Sequence, residues 1–508
     1  MRFSTTDCSQ LRGVLAAVLI VGLAAGCAIL EQPLRSHFDS ASGAVKDCAR
    51  WFAALDETVD RAGVRDAGAY RIPGFPYLRL DRFSASFRDE VKDNEPAFAA
   101  WAARLENLDA TARHYELVNL PSEFLAALNV NDKDEAKATT GRCAMLLARN
   151  DLASPSSREL LLGRAQVPDD YVDWKRALGL YPLTRIPFFS GVDGWQQRAI
   201  TMLRQAGTAE SGTEKLVRYE PADAALSPEH VASLIARAST DALGIPQFSA
   251  AERAALLQSY APVFEIDTAA EHDRFGALAW NKGPAPEVNF SEPVAYGRVA
   301  FTRYRKRTLP QLVYTIWFPE RPSESAFDLL AGRLDGLVFR VTIDTRGRPL
   351  VYDSMHSCGC FHTFFPTGRV KALPAPQPRI EWAFAPITLP ALAPAQRIAL
   401  RLASRTHYVI DVRPDNRIHE AVYRLADDDD LRALPTSDGG TRSAFGPDGI
   451  VQGTERAERF LFWPMGIDNP GAMRQWGRHA TAFVGRRHFD DADLIERRFE
   501  IMPDDTVP

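Results

Sequence analysis

The chain has 508 residues, enough for two or three domains at about 150 residues each. Hydrophobic residues make up 46% and charged residues 25%, with a formal net charge of -5. These values exclude a disordered chain and the strongly basic face that binds nucleic acid, so no nucleic-acid partner is expected and charge names no other.

At the N-terminus, Arg2 and Arg12 precede an apolar run from Val14 to Ala25, too short to cross a bilayer as a helix of about 20 residues. Residues 1–26 read as an export signal. The end of the run, Leu23-Ala24-Ala25-Gly26-Cys27, resembles the signal of bacterial lipoproteins, with small residues placed for cleavage before Cys27. The resemblance implies lipid on Cys27 and a membrane partner reached through that anchor. Because Ala28 is not acidic, it also implies an outer-membrane lipoprotein facing the periplasm. That class commonly carries Leu where this chain has Ala24, and an ordinary secretory signal is the alternative. With Cys8 lost and Cys27 lipidated, an oxidising compartment leaves the even set Cys48, Cys143, Cys358 and Cys360. The simplest pairing joins Cys48 to Cys143, a long loop closure worth about 4 kcal/mol. It leaves Cys358 and Cys360 to each other or to a metal.

Residues 27–165 read as a helical domain. In "NEPAFAAWAARLENL", Phe98, Trp101, Leu105 and Leu108 recur at three- and four-residue spacing, the stripe of a packed helix. Residues 166–259 form a connecting region of helices and loops. Ser227-Pro228-Glu229 supplies an N-cap and a first-turn proline, and Ser249 with Glu252 forms a capping box. From 260 to 508 the chain turns to β. "QLVYTIWFP" and "GLVFRVTI" are dense in β-branched and aromatic residues, and Asp344-Thr345-Arg346-Gly347 turns the second into "RPLVYDSM" as a hairpin. Asp427 to Asp430 reads as a solvated loop. A closing helix is expected from about Pro470, its apolar face marked by Met473, Trp476, Ala480, Phe483 and Val484, with Arg474, Arg478, Arg486, Arg487 and His488 in water. The class predicted is α+β: an N-terminal helical region, then a larger antiparallel β-sandwich-like domain with a C-terminal helix.

The segments "YAPVFEID", "LVYTIWFP", "LDGLVFRVTI" and "GRPLVYDSMHS" resemble, in order and rough spacing, a widespread β-rich family associated with vacuolar protein sorting. The resemblance covers about residues 260 to 357, with Leu334-Asp335-Gly336-Leu337 standing for that family's acidic "GDWE" element. It implies a β-sandwich and no particular activity.

No GxSxG elbow, HExxH helix, P-loop or GxGxxG occurs, so the common hydrolase, metalloprotease and nucleotide signatures are absent. The informative stretch is "HSCGCFH", in which His356, Cys358, Cys360 and His362 are disposed symmetrically about Gly359. On a straight strand all four share one face, but the outer histidines stand about 20 Å apart. A bend at Gly359 is needed to gather them. So gathered, two thiolates and two imidazoles suit one zinc or copper ion. Asp353 then stands behind the ligands, as an acceptor for an imidazole N–H. His407 and Asp411 share a strand face that reads as exposed to water, although His407 is a further ligand candidate. A strained, easily reduced Cys358–Cys360 disulfide is the alternative, and a metal-free packed strand end is another. The leading expectation is an envelope lipoprotein that binds or handles a transition metal. The alternatives are a metal-dependent or thiol-redox enzyme of the periplasm and a metal-free structural or interaction lipoprotein. No catalytic residue is selected by spacing.

Overall fold

The computed structural model describes residues 43–205, 215–281, 283–325, 327–393, 396–415 and 421–503; the signal segment and Cys27 lie outside them. The first unit is helical: α1 (Ala44–Ala62), α2 (Glu95–Asn119), α3 (Lys133–Leu152) and α4 (Pro155–Arg164). Each of the last three starts where a short polar side chain accepts a free backbone N–H: Asn94 from Ala97, Asp132 from Glu135, Ser154 from Ser157. The three-four spacing seen in the sequence buries Phe98, Trp101 and Leu105 against Phe52, Leu55, Val59 and Leu147. Cys48 and Cys143 are joined, tying α1 to α3.

Charges lie inside this unit. Arg79, on the strand Phe75–Leu80, donates to Glu116 at 2.7 Å and to Asp109 at 3.1 Å, and neither Arg79 nor Glu116 is exposed. Arg113 completes the cluster with Asp56 at 2.6 Å and Glu116 at 3.1 Å. Burial would raise the Glu116 carboxyl, but Arg79, Arg113 and Arg71 hold it down at about 2.

Next come α5 (Asp173–Leu178), α6 (Tyr181–Gln205), α7 (Pro228–Arg237) and α8 (Ala250–Tyr260). The starts of α7 and α8 are those expected, Ser227 capping one and the Ser249–Glu252 box the other. The ten strands of the main sheet, among the described residues, are β1 (Lys215–Pro221), β2 (Val263–Thr268), β3 (Val294–Tyr304), β4 (Arg307–Arg321), β5 (Gly332–Ile343), β6 (Pro349–His356), β7 (Thr363–Pro366), β8 (Ile398–Leu402), β9 (Val409–Pro414) and β10 (Ala421–Asp427). Their order is β7-β6-β5-β4-β3-β10-β1-β2-β8-β9. Strands β3 to β7 form an antiparallel meander, whereas β10 runs parallel to both β1 and β3, and β8 parallel to β2.

The class is α+β as expected, with one curled mixed sheet where a two-layer antiparallel sandwich was anticipated. The reason is visible in β4 and β5. "QLVYTIWF" and "GLVFRVTI" are apolar at successive positions, and every residue of both is buried, so both faces of the sheet are covered.

Past β10 the acid run is solvated at Asp427 and Asp430, as expected, but anchored at its centre. Asp428 and Asp429 accept from Arg298 at 2.8 and 2.6 Å, and Asp429 also from Arg432 at 3.1 Å. The helix expected from Pro470 does not form. Gly471, Gly477 and Gly485 sit at φ +85°, +86° and +114°, and backbone amides of the stretch go to distant partners, Arg474 to Ser357 O and Gln475 to Gly449 O. Met473, Ala480 and Val484 are buried as read, but so are Arg474 and Arg487, which were assigned to water. The helices of this region are α9 (Arg459–Phe462) and α10 (Leu494–Arg498). Among the described residues no helix is long and apolar enough to cross a membrane.

Candidate functional site: a thiol turn and its charged surround

Strand β6 stops at His356 and the palindrome is the turn that leads into β7. Gly359 N–H donates to His356 O at 2.7 Å and His356 N–H to Cys360 O at 3.0 Å, closing the turn, after which Ser354 pairs with Thr363 across the hairpin. Gly359 supplies the bend at φ +94°. A Cβ there would stand 2.4 Å from the carbonyl oxygen of Ala480, on backbone with nowhere to retreat. Gly359→Ala is therefore expected to cost about 3 kcal/mol, from strain and displacement together, read by denaturant unfolding of the purified chain.

The bend brings the two cysteines together and sends the two histidines to separate carboxylates. Cys358 and Cys360 are free thiols, hydrogen-bonded to each other. Cys358 is 7% exposed and Cys360 is the more accessible of the two. Donation from the Cys360 thiol holds Cys358 below the usual thiol range, whereas giving that bond and being buried push Cys360 well above it. Of the two sulfurs, Cys358 is the one whose thiolate is favoured.

His362 bonds Asp353 through Nε2 at 2.8 Å, and Asp353 is gripped by both forks of Arg340 at 3.0 and 2.5 Å. Burial pushes His362 down to about 3, so it is neutral, and its N–H donates because an ionised carboxylate only accepts. Asp353 is thus an imidazole partner as the sequence suggested, here within an all-protein ion pair.

His356 turns its Nδ1 toward Asp335, at 3.4 Å. Asp335 also takes His407 Nδ1 at 2.8 Å and Arg456 at 3.3 Å. His407 donates its other nitrogen to the carbonyl of His272 at 3.2 Å, with Asp273 at 3.6 Å. Both nitrogens of His407 face groups that can only accept, which makes it an imidazolium. Burial works against that charge, but Asp273 and Asp335 raise its pKa above the ordinary value. Phe318 lies flat on the ring at 3.8 Å, a cation–π contact. His407 is fully buried and precedes β9, correcting the exposed strand face read from the sequence, and Asp411 pairs with Arg413 at 3.0 Å. His356 is held below its usual range by burial and is neutral; its Nε2 has no hydrogen-bond partner among the described residues.

Around the thiols stand Arg456, Arg474 and Glu458, the last 2% exposed and raised by burial to about 7. Trp195 of α6 closes over Phe361 and Tyr408 at ring distances of 5.0 and 6.3 Å. Among the described residues, no three histidine, cysteine or acidic side chains converge as a cation site.

No family model, curated protein or solved structure matches the chain. Asp335, Glu458, Arg456 and Trp195 escaped the functional reading of the sequence. For Asp335 there was a usable signal: a carboxylate between Leu334 and Leu337, at the head of the apolar run Leu337 to Phe339, is costly unless it meets cations. Glu458 and Arg456 carry no such mark, since "TERAER" has the composition of any exposed helix.

Proposed function

We propose that this chain is a thiol–disulfide exchange protein of the cell envelope, with Cys358-Gly359-Cys360 as its redox centre. The observation that carries the reading is the geometry of the turn: two free thiols one residue apart, brought together by the bend at Gly359, with Cys360 the more accessible and Cys358 buried. In the oxidised form a substrate thiolate attacks the sulfur of Cys360. The Cys358–Cys360 bond breaks, and Cys358 leaves as the stabilised thiolate, the better leaving group because its pKa is the lower. A second substrate thiol then displaces Cys360 from the mixed disulfide. One proton ends on Cys360 and one is available to Glu458, whose carboxyl titrates at about 7. The substrate dithiol is oxidised to a disulfide and the cysteine pair is reduced by the same two electrons. A ring closed by a single intervening residue is strained, which favours giving the disulfide away. The signal-like N-terminus supports an oxidising compartment, with lipid on Cys27 as the anchor.

The test equilibrates the purified chain with glutathione buffers and follows its thiols by alkylation and mass. Expected is a Cys358–Cys360 couple more oxidising than about -300 mV, and a mixed disulfide trapped on Cys360 in Cys358→Ser. Glu458→Gln is expected to remove the step near pH 7 from the exchange-rate profile while leaving the fold intact. A dithiol that never oxidises, or one that instead retains an equivalent of zinc or copper through purification, sinks the redox reading; the second result would return the pair to the metal role expected from the sequence.

A further inference from the structure

Between α2 of the helical unit and β3 of the sheet lie two cavities of about 260 and 850 Å³. They share Arg104, Asn107, Arg298 and Phe301 in their walls and so form one cleft, at the kind of seam where small ligands bind. One wall is a stripe of α2, with Arg104, Asn107, Leu108 and Thr111 at three- and four-residue spacing. The facing wall is Arg298, Val299 and Phe301 of β3, and Gln475 and Trp476 of the closing segment complete the narrow end.

Hydrogen-bonding groups at that end are uncommitted. Among the described residues, the Asn107 amide, the Thr111 hydroxyl and the Trp476 indole N–H bond to nothing. Gln475 is 4% exposed, and its Nε2 donates to Asp66 at 3.3 Å, which orients the amide and leaves Oε1 without a partner. A buried amide oxygen in that state costs about 1–3 kcal/mol, which a hydroxyl lodged in the cleft would relieve.

The charges there are already matched. Arg104 meets Asp81 at 3.4 Å, Arg298 meets Asp428 and Asp429 at 2.8 and 2.6 Å, Arg432 meets Asp66 at 2.8 Å, and Arg82 meets Asp490 at 3.3 Å. An ionic ligand would have to break one of these pairs, and an apolar one would strand the uncommitted polar groups. Nor is a ring face open to a flat heterocycle. Phe301 is stacked with Phe83 at 5.8 Å and with Phe248 at 6.4 Å, and Arg298 lies over the ring of Trp476 at 5.9 Å.

The chemistry left is a neutral molecule with hydroxyls around its rim and C–H groups on its faces. We infer that the cleft binds a neutral saccharide, with one sugar ring at the narrow end and further rings running past Arg253 and Leu257 of α8 in the wider part. Asn107, Thr111 and Gln475 meet the hydroxyls, the Trp476 N–H donates to a sugar oxygen, and Leu108, Val299 and the edge of Phe301 take the C–H groups. None of the thiol-turn residues is involved, so the inference goes beyond the redox reading and does not depend on it.

Calorimetric titration of the purified chain with chitotetraose, cellotetraose, maltotetraose and mannotetraose tests it. At least one is expected to bind with a Kd of about 1 mM or tighter. That sugar should also slow hydrogen exchange several-fold in peptides covering 104–111 and 475–477. Asn107→Ala/Thr111→Val is expected to weaken binding about tenfold or more, and Trp476→Phe, which keeps a ring but removes the N–H, about threefold or more. The double variant's melting temperature is expected within a few degrees of the parent, because Asn107 is exposed and the Thr111 hydroxyl makes no bond to lose. Its glutathione equilibrium should match the parent's, so the two proposals fail separately. Binding of none of the four sugars at about ten times that concentration overturns the inference, as does binding that the double variant leaves unchanged. Protection of the same peptides by inorganic phosphate alone also overturns it, since the cleft would then be an anion site.

Discussion

Cys358→Ser is expected to abolish reversible oxidation of the turn and to lower exchange with a model dithiol by about a thousandfold or more, because its thiolate is both the leaving group and half of the disulfide. Cys360→Ser is expected to be as inactive but to differ in kind. The serine hydroxyl can still donate to Cys358, so Cys360→Ala is the variant that removes the donor, and there the remaining thiol should lose the stabilising bond and rise toward or above its ordinary range. Iodoacetamide alkylation against pH reads this directly: a low apparent pKa for the pair, a higher one in Cys360→Ala. Arg474 is buried within electrostatic reach of both sulfurs, so Arg474→Met should also raise the thiolate's pKa, without removing a sulfur. If both serine variants exchange disulfides at the parental rate, the turn is not the reacting group.

The largest stability effect is expected at Glu116. It accepts from Arg79 at 2.7 Å and Arg113 at 3.1 Å with no exposure to water, so Glu116→Gln leaves two guanidiniums short of a counter-charge. Breaking a buried pair from one side costs about 3–5 kcal/mol, so the variant is expected near the edge of folding at 37 °C. The pH dependence has a definite sign. The Glu116 carboxyl titrates at about 2 in the folded chain against 4.5 for an unperturbed glutamate, so its contribution is complete above pH 4.5 and is lost as the pH falls from there toward 2. Urea unfolding at intervals between pH 3 and 7 should show an acid limb in the parent worth about 2 kcal/mol that is flattened in Glu116→Gln. A parallel limb in both proteins would remove Glu116 as its cause.

Much of the helical architecture was legible because it is local. The stripe of Phe98, Trp101 and Leu105, the Ser227 cap and the Ser249–Glu252 box each depend on residues a turn apart. The C-terminal stretch shows where this reading stops. Met473, Ala480 and Val484 are buried, but their burial serves long-range contacts with Ser357 and Gly449, and an apolar residue is the same letter in a helix and in a buried loop. The sheet's parallel pairs were invisible for the same reason, since β10 reaches β1 across about two hundred residues. In the site, ligand-type residues and the bend at Gly359 were legible; their partners were not. His356 and His362 are each claimed by a carboxylate, Asp335 and Asp353, placed opposite by strand register, and no spacing within "HSCGCFH" announces that.

The ion pairs that close the helical unit come partly from the other end of the chain. Asp66 takes Arg432 at 2.8 Å, Asn119 donates to the carbonyl of Arg432 at 2.7 Å, and Arg82 holds Asp490 at 3.3 Å. A chain emerging N-terminus first thus carries charges whose partners are among its last residues to be made. Its helices can coil early, but their final neutralisation awaits the closing segment, so maturation is a single late event and not a domain-by-domain one. For the exported chain proposed above, such a delay would keep it threadable until synthesis is done. It also means that losing the last few dozen residues would unsettle the beginning of the chain as much as its end.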